Sequence, residues 1–290
     1  MKRLLILSGK GGTGKTTIAG AFVRLMKAKG YADCDVDAPN LHLILRPKTT
    51  VNAKPYFGLA KVSVNFDKCM KCDLCRKHCR YDAISINSSG NYLVDPFACE
   101  GCGVCCYICP AEAISLEESI DGKLELFKDK TSVFSTAQLK MGSGTSGMLV
   151  SEVKKQLQPF EQDIDIAIID GSPGIGCPVI ASISGVDMVL IVAEPSLSGL
   201  NDMKRIISTA QKFFTPIGVV INRHDVNPTI STMIEEYCQE QNFTLLGKIP
   251  FDRQVNRAVN AGQTIVDVDC PAKNEVIKVF KATIELFNSL

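Results

Sequence analysis

Two stretches of the chain repeat one cysteine pattern thirty residues apart. Cys69, Cys72, Cys75 and Cys79 are followed, at the same intervals, by Cys99, Cys102, Cys105 and Cys109. The register runs on past the cysteines, with Ala83-Ile84-Ser85 matched by Ala113-Ile114-Ser115, so residues 61–118 read as one small unit duplicated. The chain has 13 cysteines, an odd number, and nothing at its start looks like an export signal. After Lys2-Arg3 the apolar stretch Leu4–Leu7 is too short and runs into glycines. The expectation is thiols in a reducing cytoplasm, where metal binding or catalysis outranks disulfides. Cys34, Cys106, Cys177, Cys238 and Cys270 fit no ligand spacing, and Cys106 is expected to be a packed thiol.

Outside residues 61–118 the pattern changes. Short continuous apolar runs at 3–8, Ile164–Ile169, Met188–Ala193 and Ile217–Ile221, with weaker ones at Tyr31–Val36 and Leu245–Ile249, read as buried strands. Helical periodicity falls between them, at Thr16–Lys29, Gly147–Gln158, Gly199–Phe213, Pro228–Gln241, Val255–Gly262 and Lys273–Phe287. The first of these is expected to end on Gly30 as a left-handed cap. Strands alternating with helices mean a doubly wound, mostly parallel sheet covered on both faces. The expected organisation is a discontinuous α/β domain, 1–60 and 119–290, with residues 61–118 inserted and 141–147 as a flexible re-entry loop. Its 32 Lys+Arg against 31 Asp+Glu leave a net charge of +1, which argues against nucleic acid or anionic membrane as an overall partner. No apolar run approaches the ~18 residues of a membrane span.

Gly9-Lys10-Gly11-Gly12-Thr13-Gly14-Lys15-Thr16 fits G-x-x-x-x-G-K-[ST] between a predicted strand and a predicted helix. Glycines let successive backbone N–H groups turn inward around phosphate oxygens, and the helix start adds its positive end. Lys15 is expected at the β- and γ-phosphates, Thr16 on Mg²⁺, and Thr17 among the nucleotide-binding residues. Gly9, Gly11 and Gly14 also spell G-x-G-x-x-G with Asp33 about twenty residues on, a dinucleotide fingerprint, but that reading leaves Lys15-Thr16 without a purpose.

The second lysine, Lys10, makes the loop resemble the deviant Walker A motif of the MinD/ParA/nitrogenase-iron-protein class. The resemblance implies an ATP-sandwich homodimer in which Lys10 crosses to the partner's nucleotide and acts on transferring phosphoryl charge. Asp33-Cys34-Asp35-Val36-Asp37 resembles that family's first switch, with Asp35 favoured for the metal shell and Asp37 for the attacking water. Ile169-Asp170-Gly171-Ser172-Pro173-Gly174 resembles Walker B and the second switch, with Ser172 where the family usually has proline. Asn222 resembles the adenine-contacting residue, a strand-end turn being the alternative, and Pro250 and Asp252 resemble the loop over the base. Only Gly30-Tyr31-Ala32 separate Lys29 from Asp33, where the family usually has several more residues.

Each cysteine run resembles the bacterial ferredoxin run, and Pro110 follows Cys109 as that pattern expects, whereas Arg80 follows Cys79. Zinc sites usually pair C-x₂-C knuckles across a longer gap, so two 4Fe–4S clusters are the reading, with zinc or an unmetallated role as alternatives. In ferredoxins the fourth cysteine serves the other cluster. That implies Cys69, Cys72, Cys75 and Cys109 for one cluster, and Cys99, Cys102, Cys105 and Cys79 for the other. Lys71, Arg76, Lys77 and Arg80 crowd the first run, as a solvated face or as a dock for an acidic electron-transfer partner. The whole resembles a MinD/ParA-superfamily ATPase with an inserted ferredoxin. The implied activity is Mg²⁺-dependent ATP hydrolysis gating electron transfer to an unidentified redox or cluster-accepting partner. The alternatives are a cluster carrier, or a positioning ATPase using the stripe Val276, Ile277, Phe280, Ile284 and Phe287.

Overall fold

The computed structural model describes residues 1–47 and 49–290. From the N-terminus the chain forms β1 (Lys2–Leu7), α1 (Lys15–Met26), β2 (Gly30–Asp33), α2 (Leu41–Leu45), β3 (Thr50–Phe57), β4 (Lys61–Val64), α3 (Leu74–Lys77), β5 (Ile84–Ile86), β6 (Tyr92–Val94), α4 (Val104–Tyr107), β7 (Ile114–Glu117), β8 (Ile120–Lys128) and β9 (Val133–Leu139). It continues through α5 (Ser146–Lys155), β10 (Ile166–Asp170), α6 (Cys177–Ile183), β11 (Met188–Ala193), α7 (Leu197–Gln211), β12 (Ile217–Asn222), α8 (Pro228–Glu240), β13 (Thr244–Ile249), α9 (Arg253–Asn260) and α10 (Pro271–Asn288). Two compact units result: Met1–Lys54 with Leu124–Gln138 and Ser146–Leu290, and Pro55–Lys123 with Leu139–Thr145. The second thus takes in residues on both sides of 61–118, together with part of the glycine-rich 141–147 stretch.

The first unit is built on a sheet of order β13-β12-β11-β1-β10-β2-β9-β8-β3, parallel from β13 through β9. β1, β10 and β11 show no apolar–polar alternation because helices cover both faces, and Leu4–Leu7 are fully buried. Each such side chain contributes ~1.5–3 kcal/mol by leaving water. α7 starts where Ser196 accepts from the Gly199 N–H, and buries Leu200, Met203, Ile206, Ile207 and Ala210 along one stripe. On α10, Val276, Val279 and Phe287 are buried and Phe280 and Ile284 pack against the same core, Phe280 meeting Phe22 edge-on at 5.1 Å. Chain order reverses across β1, which lies between β10 and β11, so the carboxyl ends of these strands form the crevice where such sheets bind ligands.

Two local expectations need correction. α1 ends at Met26, not at Lys29, because Lys27 itself takes the left-handed turn at φ 51° and donates to the Arg24 and Val23 carbonyls. Gly30 opens β2 instead of capping the helix, and a Cβ there would stand 2.6 Å from Ile164 Cδ1. β2 also stops at Asp33, short of Val36, because the Asp33 carboxylate gathers the next backbone N–H groups into a loop. Short as it is, β2 pairs in register from Gly30↔Ala167 to Asp33↔Asp170 on one side and with β9 on the other. β3, β8, β9, α2 and α6 were not legible as elements from periodicity.

In the second unit β4 pairs antiparallel with β7, and β5 with β6. The thirty-residue repeat is visible in the backbone. Lys71 and Gly101 (φ 59° and 62°), Asp73 and Gly103 (65° and 75°), and Asp82 and Glu112 (50° and 48°) are left-handed pairs. α3 and α4 follow at the same offset.

Candidate functional site

The loop after β1 is shaped by its glycines. Gly12 and Gly14 sit at φ 81° and 94°, where a side chain costs energy. A Cβ on Gly9 would stand 2.3 Å from Asp202 Cβ. Lys15, at the first position of α1, is buried, with Nζ 2.6 Å from Asp170 Oδ1, 3.9 Å from Asp35 Oδ2 and 3.4 Å from Thr16 Oγ1. Burial alone would depress its pKa, but Asp170 and then Asp35 outweigh it and hold the ammonium above its ordinary range. Asp170 Oδ2 is buried with no hydrogen-bond partner. An orphaned carboxylate oxygen beside an ammonium is costly unless a cation or its water completes the shell.

Asp33 does a job the sequence did not disclose. It is fully buried, and its carboxylate accepts from the N–H groups of Asp35 (3.0 Å), Asn40 and Leu41 (both 2.9 Å). That folds residues 34–40 into a loop and starts α2. Burial, then Asp170, pushes its carboxyl up to about 7, against the lowering influence of Lys15 and the backbone donors. Burial likewise raises Asp35 to about 6, with Lys15 opposing. The two switch-like loops are tied together: Cys34 N–H donates to the Asp170 carbonyl at 2.7 Å, and Ser172 Oγ to the Cys34 carbonyl at 2.5 Å. The serine in place of proline therefore supplies a donor that proline lacks.

Lys15, Asp35 and Ser172 face a cavity of about 1050 Å³ lined also by Gly11, Gly12, Gly14, Thr16, Thr17, Asp37 and Arg223. Thr13 is buried and its hydroxyl is without a partner. A smaller hollow of about 40 Å³ beside it is walled by Gly14, Thr17, Asn222, Pro250, Phe251, Asp252 and the apolar side chains Ile18, Ile265 and Val276. Asn222 spends one amide N–H on the Thr13 carbonyl at 2.7 Å, and Asp252 caps α9 by accepting from the Gln254 N–H. Lys10 stands apart from Lys15. Its Nζ lies 3.0 Å from Glu194 Oε2 and donates to Ser196 Oγ (3.1 Å) and Ser198 Oγ (3.3 Å), while Glu194 also holds Arg223 at 3.2 Å. Glu194 was not singled out from sequence as a partner for Lys10; its place in Glu-Pro-Ser-Leu-Ser after an apolar strand was the available signal.

In the second unit, Cys69, Cys72, Cys75 and Cys109 line one cavity with Val64, Tyr92 and Ile114. The sulfurs come from both runs. Cys109 Sγ accepts from the Ala113 N–H at 3.3 Å. Cys99, Cys105 and Cys75 belong to the small core with Cys79 packed against it, and Cys72 and Cys102 are exposed at matching positions of the repeat. Burial raises the Cys75 thiol and pushes Cys105 up to about 12, so metal loading must displace protons. Among the described residues, no three His, Cys, Asp or Glu side chains converge on a point that one ion could occupy.

A family model for the CobQ/CobB/MinD/ParA nucleotide-binding domain matches residues 4–265. An uncharacterized protein of Methanocaldococcus jannaschii is 30% identical over 262 residues, 89% of this chain and 87% of its own length. The iron-sulfur cluster carrier protein of the same organism is 26% identical over 300 residues, covering 98% and 84%. Among solved structures, MinD of Pyrococcus horikoshii with Mg-ADP superposes with a TM-score of 0.58 at 19% identity, over 98% of this chain and 96% of that one. The parallel sheet, the glycine loop after its central strand and the family match agree, and the chain belongs to the CobQ/CobB/MinD/ParA family of P-loop nucleotide-binding domains.

Proposed function

We propose that this ATP-binding protein hydrolyses ATP with Mg²⁺ and uses the cycle to gate electron transfer through two 4Fe–4S clusters held by residues 69–109. The observation that carries the redox half is the cavity walled by Cys69, Cys72, Cys75 and Cys109. In a cubane cluster each thiolate binds a different iron, so the sulfurs should line a cavity instead of converging on a point. That arrangement fits the group better than it fits a single zinc ion. By the repeat, Cys99, Cys102, Cys105 and Cys79 would hold the second cluster. Bound there, the clusters would supply one-electron transfer.

At the nucleotide site, the backbone of Gly9–Thr16 binds the phosphates, Lys15 neutralises charge at the β- and γ-positions, and Thr16 with Asp35 would hold Mg²⁺. The orphaned Asp170 oxygen fits a metal-bound water. Asp37, on the cavity wall, orients the attacking water, and Asn222, Pro250 and Asp252 receive the base. Lys10 lies on Glu194 and the two serines in a single chain and is released to a partner's nucleotide when two copies close around ATP.

Cluster carriage is the second reading, favoured by the carrier name of the 26%-identical relative. Against it, Cys238 and Cys270 are buried and lie in separate elements, giving no exposed pair from which to hand a cluster on. Against a positioning role, Val276, Phe280, Ile284 and Phe287 of the α10 stripe pack into the core. Among the described residues no helix is long and apolar enough to cross a membrane. Anaerobically purified protein should carry about eight irons and about eight labile sulfides per chain and show Mg²⁺-dependent ATP turnover. One zinc per chain without a visible chromophore would end the redox reading.

A further inference from the structure

The repeat keeps the backbone of its two halves and reverses their charge. The first stretch, residues 65–82, carries Lys68, Lys71, Arg76, Lys77 and Arg80, all exposed, against Asp67, Asp73 and Asp82. The matching stretch from Asp95 to Glu112 has no Lys or Arg, and Asp95, Glu100 and Glu112 make it acidic. Asp73 engages Arg76 at 2.6 Å and Lys77 at 3.8 Å, whereas among the described residues Lys68 and Lys71 are in no ion pair.

These cations sit on the segments that wall the four-thiol cavity. Lys68 and Lys71 flank Cys69 and Cys72, and Arg76 and Lys77 follow Cys75 on α3. The same segments show apolar side chains to water: Met70 is 63% exposed, Phe66 47% and Leu74 36%. An apolar centre with a charged rim is how transient protein interfaces are built, the rim governing encounter rate more than affinity.

The geometry points to this first-run face as the docking surface for a small acidic electron-carrier protein that delivers one electron to the cluster held by Cys69, Cys72, Cys75 and Cys109. The inference rests on the cluster reading given above. One electron leaves the carrier's centre, which is oxidised, and enters the cluster, which is reduced; no proton or group moves. The acidic lobe repels the same carrier, which leaves the second cluster to the exit side.

The test is stopped-flow reduction of the full-length, cluster-loaded protein by prereduced flavodoxin, an acidic one-electron carrier. The second-order rate should fall at least about tenfold between ~0.01 M and ~0.15 M salt, as the screening length shortens from ~30 Å to ~8 Å. Lys71→Glu with Lys77→Glu should lower the low-salt rate about tenfold and flatten its salt dependence. Iron content and reduction by a small neutral reductant should not change, and Glu100→Lys on the other lobe should leave the rate within about twofold. Should the double charge reversal lose iron, Lys71→Ala with Lys77→Ala must give a smaller change in the same direction. A salt-independent rate or an unaffected charge-reversal variant overturns the docking assignment while the clusters stand. A wild-type protein without iron overturns both.

Discussion

Gly14→Ala isolates what the glycine loop contributes to nucleotide binding. Gly14 sits at φ 94°, and a Cβ there would stand 2.3 Å from Asn222 Nδ2, the atom that donates to the Thr13 carbonyl. Holding alanine in a left-handed conformation costs ~1–2 kcal/mol. Swinging Asn222 aside gives up a hydrogen bond of ~0.5–1.5 kcal/mol. The free loop can relax, but closing it around phosphates restores the strained geometry, so roughly 2–3 kcal/mol should appear as ADP affinity weakened ~30- to ~150-fold. Calorimetric titration of ADP into Gly14→Ala, Asn222→Ala and the double variant separates the two contributions. With the asparagine already removed, adding Gly14→Ala should cost less than it does alone, a non-additivity of ~1 kcal/mol. A Gly14→Ala protein that binds ADP like wild type with an unchanged melting midpoint would refute the steric reasoning.

Lys15→Ala should abolish tight nucleotide binding, whereas Lys10→Ala should retain ADP binding and lose ATP turnover and ATP-driven dimerisation; equal loss of ADP affinity in both would place Lys10 in its own chain's loop. Asp35 at about 6 and Asp33 at about 7 hold protons in the folded protein that the unfolded chain releases near 4, so their contribution to stability is greatest below ~4 and falls as pH rises towards ~7. With Asp35 in the proposed Mg²⁺ shell, Mg-nucleotide binding should strengthen as pH rises through ~6 and release protons below it; calorimetry in buffers of different ionisation enthalpy would expose the error if protons were instead taken up. Cys79→Ala should damage the cluster otherwise built on Cys99, Cys102 and Cys105, and spectra showing damage to the other cluster would reverse the crossed ligation.

The central strands were legible because burial on both faces leaves unbroken apolar runs such as Met188–Ala193, which the structure reproduces residue for residue. The glycine loop was legible because phosphate binding demands a fixed spacing. β3, β8 and β9 were not, since mixed polar runs such as Val133-Phe-Ser-Thr-Ala-Gln-Leu139 carry neither period clearly and owe their burial to neighbouring strands. Asp33 is the instructive omission. Sequence offered it as a decoy for a dinucleotide fingerprint, but its value lies in three backbone donors that only the folded loop brings together. Lys10 was recognised as a second cation, and its hold by Glu194 emerged only from the placement of β11 next to β1.

A redox titration of the clusters without nucleotide, with ADP, and with a non-hydrolysable ATP analogue bears most directly on gating. The chain runs from the 33–40 loop through α2 and β3 into the second unit, re-enters the first within β8, and continues into β9, the neighbour of β2, before leaving again at Leu139. Elements that the proposed cycle would reorder with the γ-phosphate are thus joined in sequence to the cysteine unit. Coupling of ~1–3 kcal/mol should shift at least one midpoint by several tens of millivolts, at ~59 mV per tenfold for one electron, and reduction should change nucleotide affinity by the same factor. Three superimposable titrations, with electron-transfer rates to an artificial acceptor unchanged by nucleotide, would contradict gating and leave the cysteine unit an independent ferredoxin on an ATPase.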